Sequence, residues 1–219
     1  MAKTVKQILD KDIIATLECY PELRLISNKE TSFLKGIYTI RDNNGVIQGE
    51  YEIAIVIPKK YPYEFPKLYE LSQKIMPRID DRHIDKQGLA CVEIDQNIIL
   101  KSKKGISIKE FIEKYVHRYF CWQLRYDAGD RDGLEEWAHY DKGTLQFYRE
   151  NLQLDAIETI VEILKVLCEN SLPKRNDPCI CCNNQKYKYC HQNLIEGIID
   201  LGKERFKKDY NTLIELNSN

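Results

Sequence analysis

The residues with the most chemistry to offer in this chain are its cysteines. There are eight, and Cys179, Cys181, Cys182 and Cys190 lie close together, the last followed directly by His191. The spacing is Cys-x-Cys, eight intervening residues, then Cys-His. Two such pairs of thiolate or imidazole donors can wrap one tetrahedral zinc ion, whose binding would fold a segment too short for its own core. With Cys182 lying between the pairs, five candidates compete for four ligand places, and four places filled by protein side chains leave none for substrate, so the zinc would be structural. A disulfide scaffold suits a much shorter secreted chain, and the clustering points to metal.

Cys91 stands apart, in Gly88-Leu-Ala-Cys91-Val92. It follows a glycine within a stretch, Met76 to Lys104, that shows almost no sustained hydrophobic period. Long irregular segments in compact domains are often functional. Cys91 reads as a reachable nucleophilic thiol or as a small apolar core residue, which free cysteines usually are. Cys19, Cys121 and Cys168 each sit in an apolar helical context and read as core. Asp85 and Glu93 are carboxylates near Cys91 that could act as acid or base beside it, or be solvated loop charges. His83 reads as a hydrogen bonder that orders the loop. His139 reads as a packed or surface histidine.

The surrounding pattern supplies the elements that position these groups. Val5, Ile8, Leu9, Ile13 and Leu17 predict a helix ending before Tyr20-Pro21. Strand-like runs follow at Leu23 to Ser27, Phe33 to Ile40, Tyr51 to Ile57 and Lys67 to Leu71, with a tight turn at Asp42-Asn43-Asn44-Gly45. Ser107 and Glu110 predict a capping box for a helix carrying Ile108, Phe111, Ile112, Tyr115, Val116, Tyr119 and Phe120, ending near Ala128-Gly129. A loop through Trp137, His139 and Gly143 then leads to a helix from Leu152 to Cys168, stopped by Pro173. An amphipathic stretch from Leu194 to Ile214 closes the chain. The expectation is an α+β fold, an antiparallel four-stranded meander flanked by helices, with a small zinc knuckle after it. Residues 1–170 would form the first domain and 171–219 the second.

With 33 Lys+Arg against 34 Asp+Glu, the net charge does not call for nucleic acid or a membrane surface. No apolar run approaches the roughly 20 residues needed to span a bilayer, so the chain reads as soluble and cytoplasmic. There is no Gly-rich phosphate loop, so a separate activating enzyme, or a substrate activated in another way, is implied for any acyl transfer.

The order of helix, meander, Tyr61-Pro-Tyr-Glu-Phe-Pro66, His83-Ile-Asp85 and Gly88-Leu-Ala-Cys91 resembles the ubiquitin-conjugating enzymes, specifically a bacterial relative with the UBC fold. The likeness runs over residues 5 to 165. It implies that Cys91 accepts a protein C-terminus as a thioester and passes it to an amine. It also implies roles for His83, Asp85 and Glu93 around that cysteine, although Asp85 stands where the family usually has asparagine. Relatives of this kind resemble those of CBASS antiphage operons, which implies as partner the C-terminus of a ubiquitin-like protein or a cGAS-like nucleotidyltransferase. The same fold without catalysis would be a binding module for such a tail. Residues Arg175 to His191 resemble the SEC-C motif, which implies Cys179, Cys181, Cys190 and His191 as zinc ligands and leaves Cys182 outside the set. That motif alone would suit a zinc-dependent adaptor.

Overall fold

The computed structural model describes residues 4–28, 31–130, 138, 140–181 and 184–218. The chain forms two compact units, Met1–Glu93 with Lys101–Glu135, and Ile94–Leu100 with Glu136–Asn219. Trp137, His139 and Cys182 fall outside the described residues.

The first unit opens with helix α1, Val5–Cys19. Thr4 caps it by accepting from the Gln7 N–H, while Gln7 Oε1 accepts from the Thr4 N–H, so two otherwise unpaired donors are satisfied reciprocally. Strands β1 (Leu23–Ser27), β2 (Ser32–Arg41), β3 (Ile47–Ile57) and β4 (Lys67–Glu70) then form an antiparallel sheet in the order β1-β2-β3-β4. The turn between β2 and β3 is organised by Asp42, whose Oδ1 accepts from the N–H groups of Asn44 and Val46. Leu34, Tyr38 and Ile40 on β2 and Tyr51, Ile53, Ile55 and Ile57 on β3 are buried at period two. The meander is the one the sequence implies, and the fold is α+β.

Asp12 of α1 accepts from the Tyr61 hydroxyl and, at 2.6 Å, from the Ile108 N–H. It thereby ties the helix to the proline-rich loop and to the helical run beyond. That run comprises α3 (Ile108–Phe111), a π-helical segment (Ile112–Val116) and α4 (His117–Asp127). Ser107 caps it by accepting from the Glu110 N–H at 3.0 Å. Ile108, Phe111, Ile112, Tyr115, Val116, Tyr119 and Phe120 are all buried, as their spacing predicts.

Three expectations need correction. The aperiodic stretch from Met76 to Lys104 ends in a helix, α2, Asp95–Lys104. Its consecutive Ile98, Ile99 and Leu100 hide the helical period, while Asp95 in the first turn and Lys101, Lys103 and Lys104 in the last complement the helix dipole. Gly143 is helical, within α5 (Tyr140–Leu152), and a Cβ there would stand 2.1 Å from the Ala138 carbonyl oxygen, so only glycine fits. The following helix, α6, is Ile157–Glu169 and ends on Asn170 in the left-handed conformation, ahead of Pro173. The closing stretch is broken at Gly202, φ +80°, into α7 (Gln192–Ile198), a short 3-10 turn and α8 (Lys203–Ser218).

In the second unit Phe147, Tyr148, Leu152, Ile160, Ile163, Leu164 and Leu167 share one buried cluster with Ile195, Ile198, Leu201, Phe206 and Leu213. Because α5 and α6 bury their apolar faces against α7 and α8, the boundary expected at 170/171 falls inside this unit. No helix among the described residues is long and apolar enough to cross a membrane.

Candidate functional site

The segment that presents Cys91 is pinned to β4 by backbone. The Glu70 N–H donates to the Gly88 carbonyl at 2.8 Å and the Ala90 N–H to the Leu68 carbonyl at 2.9 Å. Residues 83 to 91 fold back as a tight loop: Ile84 bridges Ala90, and the Cys91 N–H donates to the His83 carbonyl at 2.8 Å. Two backbone conformations make the loop close. His83 has φ +49°, and Gly88 has φ +89° with a carbonyl so near that a Cβ would lie 2.4 Å from Glu70 O. Buried Glu70 also receives the Arg78 guanidinium at 2.8 Å, and Arg78 bonds the Lys86 carbonyl as well.

This framework holds the Cys91 thiol at the surface. The core reading of Cys91 therefore does not hold, and a reachable sulfur on a fixed backbone is what the chemistry of a nucleophile requires. Cys19, read as core, is exposed at the last position of α1, and Cys121 and Cys168 are half-buried.

The predicted neighbours of Cys91 take distinct positions. Asp85 organises the loop, its Oδ1 accepting from the N–H groups of Gln87 and Leu89 at 2.8 Å each. His83 is half-buried, with its ring edge-on to Trp122 at 5.4 Å. Glu93 is almost fully buried and faces the Arg118 guanidinium at 3.4 Å. Arg118 also donates to the Val92 carbonyl at 3.0 Å, so it grips the two residues after Cys91 while its side chain remains 55 % exposed. Sequence reasoning missed Arg118. It also missed Arg82, which is buried and held by Gln123, Met76 O and Asp127. A cation just before His83 was the available signal for the second.

In the second unit, the ligand atoms of Cys179, Cys181, Cys190 and His191 all lie within 4.8 Å of one another. The Sγ of Cys190 stands 3.0 Å and that of Cys179 3.4 Å from His191 Nδ1, and the Cys181 and Cys190 sulfurs are 3.4 Å apart. A tetrahedral ion with metal–sulfur bonds of about 2.3 Å would hold its ligand atoms roughly 3.5–3.8 Å apart, so the donor set fits one ion. The cluster is built by local backbone bonding: the Cys179 N–H donates to Gln185 O, Tyr187 N–H to Asp177 O, and Cys190 N–H to Tyr187 O.

The protonation states suit a metal. Burial alone would raise the Cys179 thiol, but N–H donation from Cys181 and His191 and the neighbouring thiols outweigh it and hold its pKa below the usual value. Burial lowers the His191 pKa, against the Leu152 carbonyl bond that pulls it upward. With Nε2 at 3.1 Å from Leu152 O, the neutral ring carries its proton there and leaves the Nδ1 lone pair facing the sulfurs. These four residues could hold a metal ion.

A polar cluster that the sequence did not reveal lies in the same unit. Asp209 on α8 is 1 % exposed and accepts from the Tyr148 hydroxyl at 2.8 Å, Gln96 Nε2 at 3.1 Å and Arg205 Nε at 3.0 Å. Arg205 also pairs with Asp95 at 2.7 Å. The start of α2, four residues beyond Cys91 in the chain, is thereby clasped by α8.

The site and fold together define the class: an α+β protein with a four-stranded antiparallel meander, an exposed cysteine after it, and a Cys3His cluster that could bind a metal. No family model and no curated protein matches the sequence. Among solved structures the yeast vps23 UEV domain, in complex with a vps27 PSDP peptide, is similar over 52 % of this chain and 77 % of that one, at 11 % identity and a TM-score of 0.36.

Proposed function

We propose that the chain is a ubiquitin-conjugating-like transferase that carries a protein C-terminus as a thioester on Cys91 and passes it to an amine. The observation that carries this reading is the exposed Cys91 thiol on a loop locked by the Cys91-to-His83 and Ala90-to-Leu68 backbone bonds. The thiolate of Cys91 attacks an activated acyl group and expels its leaving group, and the amine then attacks the thioester and releases the thiolate. Cys91 is the nucleophile. His83, Asp85 and Glu93 hold the loop: His83 through its carbonyl, Asp85 through two accepted N–H bonds, and Glu93 through Arg118. The acyl donor class is a ubiquitin-like or cGAS-like nucleotidyltransferase C-terminus delivered by a separate activating enzyme, the CBASS setting that the sequence resemblance implies. We assign the Cys179, Cys181, Cys190 and His191 cluster to structural zinc, on the strength of its thiolate-rich donor set.

Intact-mass spectrometry without reductant tests both assignments. Wild-type protein from cells that also express the neighbouring genes is expected to carry a reducible adduct, and Cys91→Ser a stable ester, each with one zinc per chain under native conditions. No adduct on either protein, with the neighbouring gene products demonstrably present, overturns the transferase reading. One observation favours a second reading, a noncatalytic module that binds such a tail: Asp85 is an acceptor twice over and offers no donor to a developing oxyanion. An adduct on wild type that Cys91→Ser abolishes or converts to ester excludes it.

A further inference from the structure

A second sulfur in the first unit stands in a relay. Cys121 and His117 are one turn apart on α4, with Cys121 Sγ 3.4 Å from His117 Nε2, and His117 Nδ1 is 3.1 Å from the hydroxyl of Tyr38 on β2. Nucleophile, base and a third group that orients the base therefore follow one another at hydrogen-bonding distance, the arrangement by which weak nucleophiles are activated. Cys121 is half-buried and His117 is exposed, whereas Tyr38 is buried and packed against the Phe120 ring at 5.7 Å, so the relay runs from a rigid anchor toward the surface.

Burial raises the pKa of the Cys121 thiol and of the Tyr38 phenol, so both groups rest protonated at neutral pH. In the tautomer that carries the ring proton on Nδ1 and donates it to the Tyr38 oxygen, Nε2 accepts from the Cys121 thiol and is the base facing the sulfur. An unassisted thiol in this place would be sluggish, and the base is what makes it competent.

We propose that Cys121 is a second nucleophilic thiol, activated by His117 and Tyr38, that takes low-molecular-weight disulfides. Cys121 Sγ attacks one sulfur of the disulfide while its proton passes to His117 Nε2. The S–S bond of the small molecule breaks, a mixed disulfide forms on Cys121, and the leaving thiolate takes the proton from the imidazolium and departs as a thiol. The disulfide is the oxidant, so no other redox partner is needed. This site is independent of the reading of Cys91.

Timed reaction of the full, metal-loaded chain with glutathione disulfide at neutral pH, resolved residue by residue by mass spectrometry, tests it. Cys168 is the internal reference, because it is half-buried with a raised pKa like Cys121 but has no histidine bonded to it among the described residues. Cys121 is expected to gain the adduct at least about tenfold faster than Cys168, and His117→Gln to remove that advantage while the Cys168 rate stays constant. Tyr38→Phe, which keeps the buried ring, is expected to slow Cys121 severalfold. Cys121 reacting no faster than Cys168 overturns the proposal, as does a His117→Gln rate equal to wild type. A Cys168 rate that rises along with that of Cys121 in a variant identifies local unfolding in that variant, and the comparison of Cys121 with Cys168 in the unaltered chain then decides.

Discussion

Asp209→Asn gives the sharpest test of what holds the second unit together. The carboxylate is 1 % exposed and is the shared acceptor for Arg205, the Tyr148 hydroxyl and Gln96. Asparagine keeps the shape but removes the charge and turns one acceptor into a donor, facing three donors. Arg205, only 11 % exposed, would keep Asp95 as a partner, but that carboxylate is 62 % exposed and its pull is screened. Removing one member of a buried ion pair typically costs about 3–5 kcal/mol, most of it the burden of the charge left behind. Urea denaturation followed by circular dichroism should therefore show a loss of about that size. Because the penalty belongs to the stranded cation, the double variant Asp209→Leu with Arg205→Met should recover most of it. Amide hydrogen exchange should show faster exchange in α2 and α8 for the single variant. A loss below about 1 kcal/mol, or a double variant no better than the single, would refute the assignment of this cluster as a charge-satisfied clasp.

Gly88→Ala should lower stability by about 2–4 kcal/mol, because it forces an L side chain into positive φ and its Cβ into the Glu70 carbonyl. Thermal unfolding checks it, and a melting point within a degree of wild type would count against the loop geometry. At alkaline pH, burial raises Tyr51, Tyr115 and Tyr187 from the ordinary value of 10.0 to about 12. Their folded pKa lies above the unfolded one, so the stabilisation is complete below about pH 10 and is lost as the pH climbs toward 12, at about 1.4 kcal/mol per tyrosine by pH 11. The urea midpoint should be flat to about pH 9.5 and fall above it, with phenolate absorbance rising in step; a midpoint constant through pH 11 would show these phenols to be solvated.

Much of the arrangement was legible because it rests on local rules. Alternation in Tyr51-x-Ile53-x-Ile55-x-Ile57 fixed which face of β3 is buried, and Asp42 to Gly45 marked the turn. The Cys179, Cys181, Cys190 and His191 cluster was signalled by two short, nearby pairs of donors, and the SEC-C resemblance singled these four out from Cys182. What escaped was set by partners remote in sequence. Gln96 and Asp209 are far apart in the chain and carry no periodic signal, and α2 was hidden because three consecutive apolar residues obscure a helical repeat. Cys121 looked like any half-apolar helix cysteine, since its relay depends on Tyr38 arriving from β2.

On the proposed transferase reading, the loop around Cys91 also sets where a transferred acyl group must find its stabilising donors. A tetrahedral intermediate on Cys91 places negative charge on oxygen, which needs N–H or O–H groups aimed at it. The N–H of Cys91 is given to His83 O, those of Gln87 and Leu89 to the Asp85 carboxylate, that of Gly88 to Asp85 O and that of Ala90 to Leu68 O. The loop therefore spends on its own rigidity the backbone donors of residues 87 to 91, on the N-terminal side of the thiol. Arg118 stands differently: its Nη2 grips Val92 O and Glu93, while more than half of the side chain faces solvent. Its remaining N–H groups are available to a substrate carbonyl beside Cys91. If Cys91 carries a thioester, Arg118→Met should slow adduct formation by about ten- to a hundredfold while leaving alkylation of Cys91 by a small neutral reagent unchanged, because alkylation develops no oxyanion. Equal slowing of both reactions would place Arg118 in the support of the loop alone, and the oxyanion donor would then have to come from the acyl donor or its carrier.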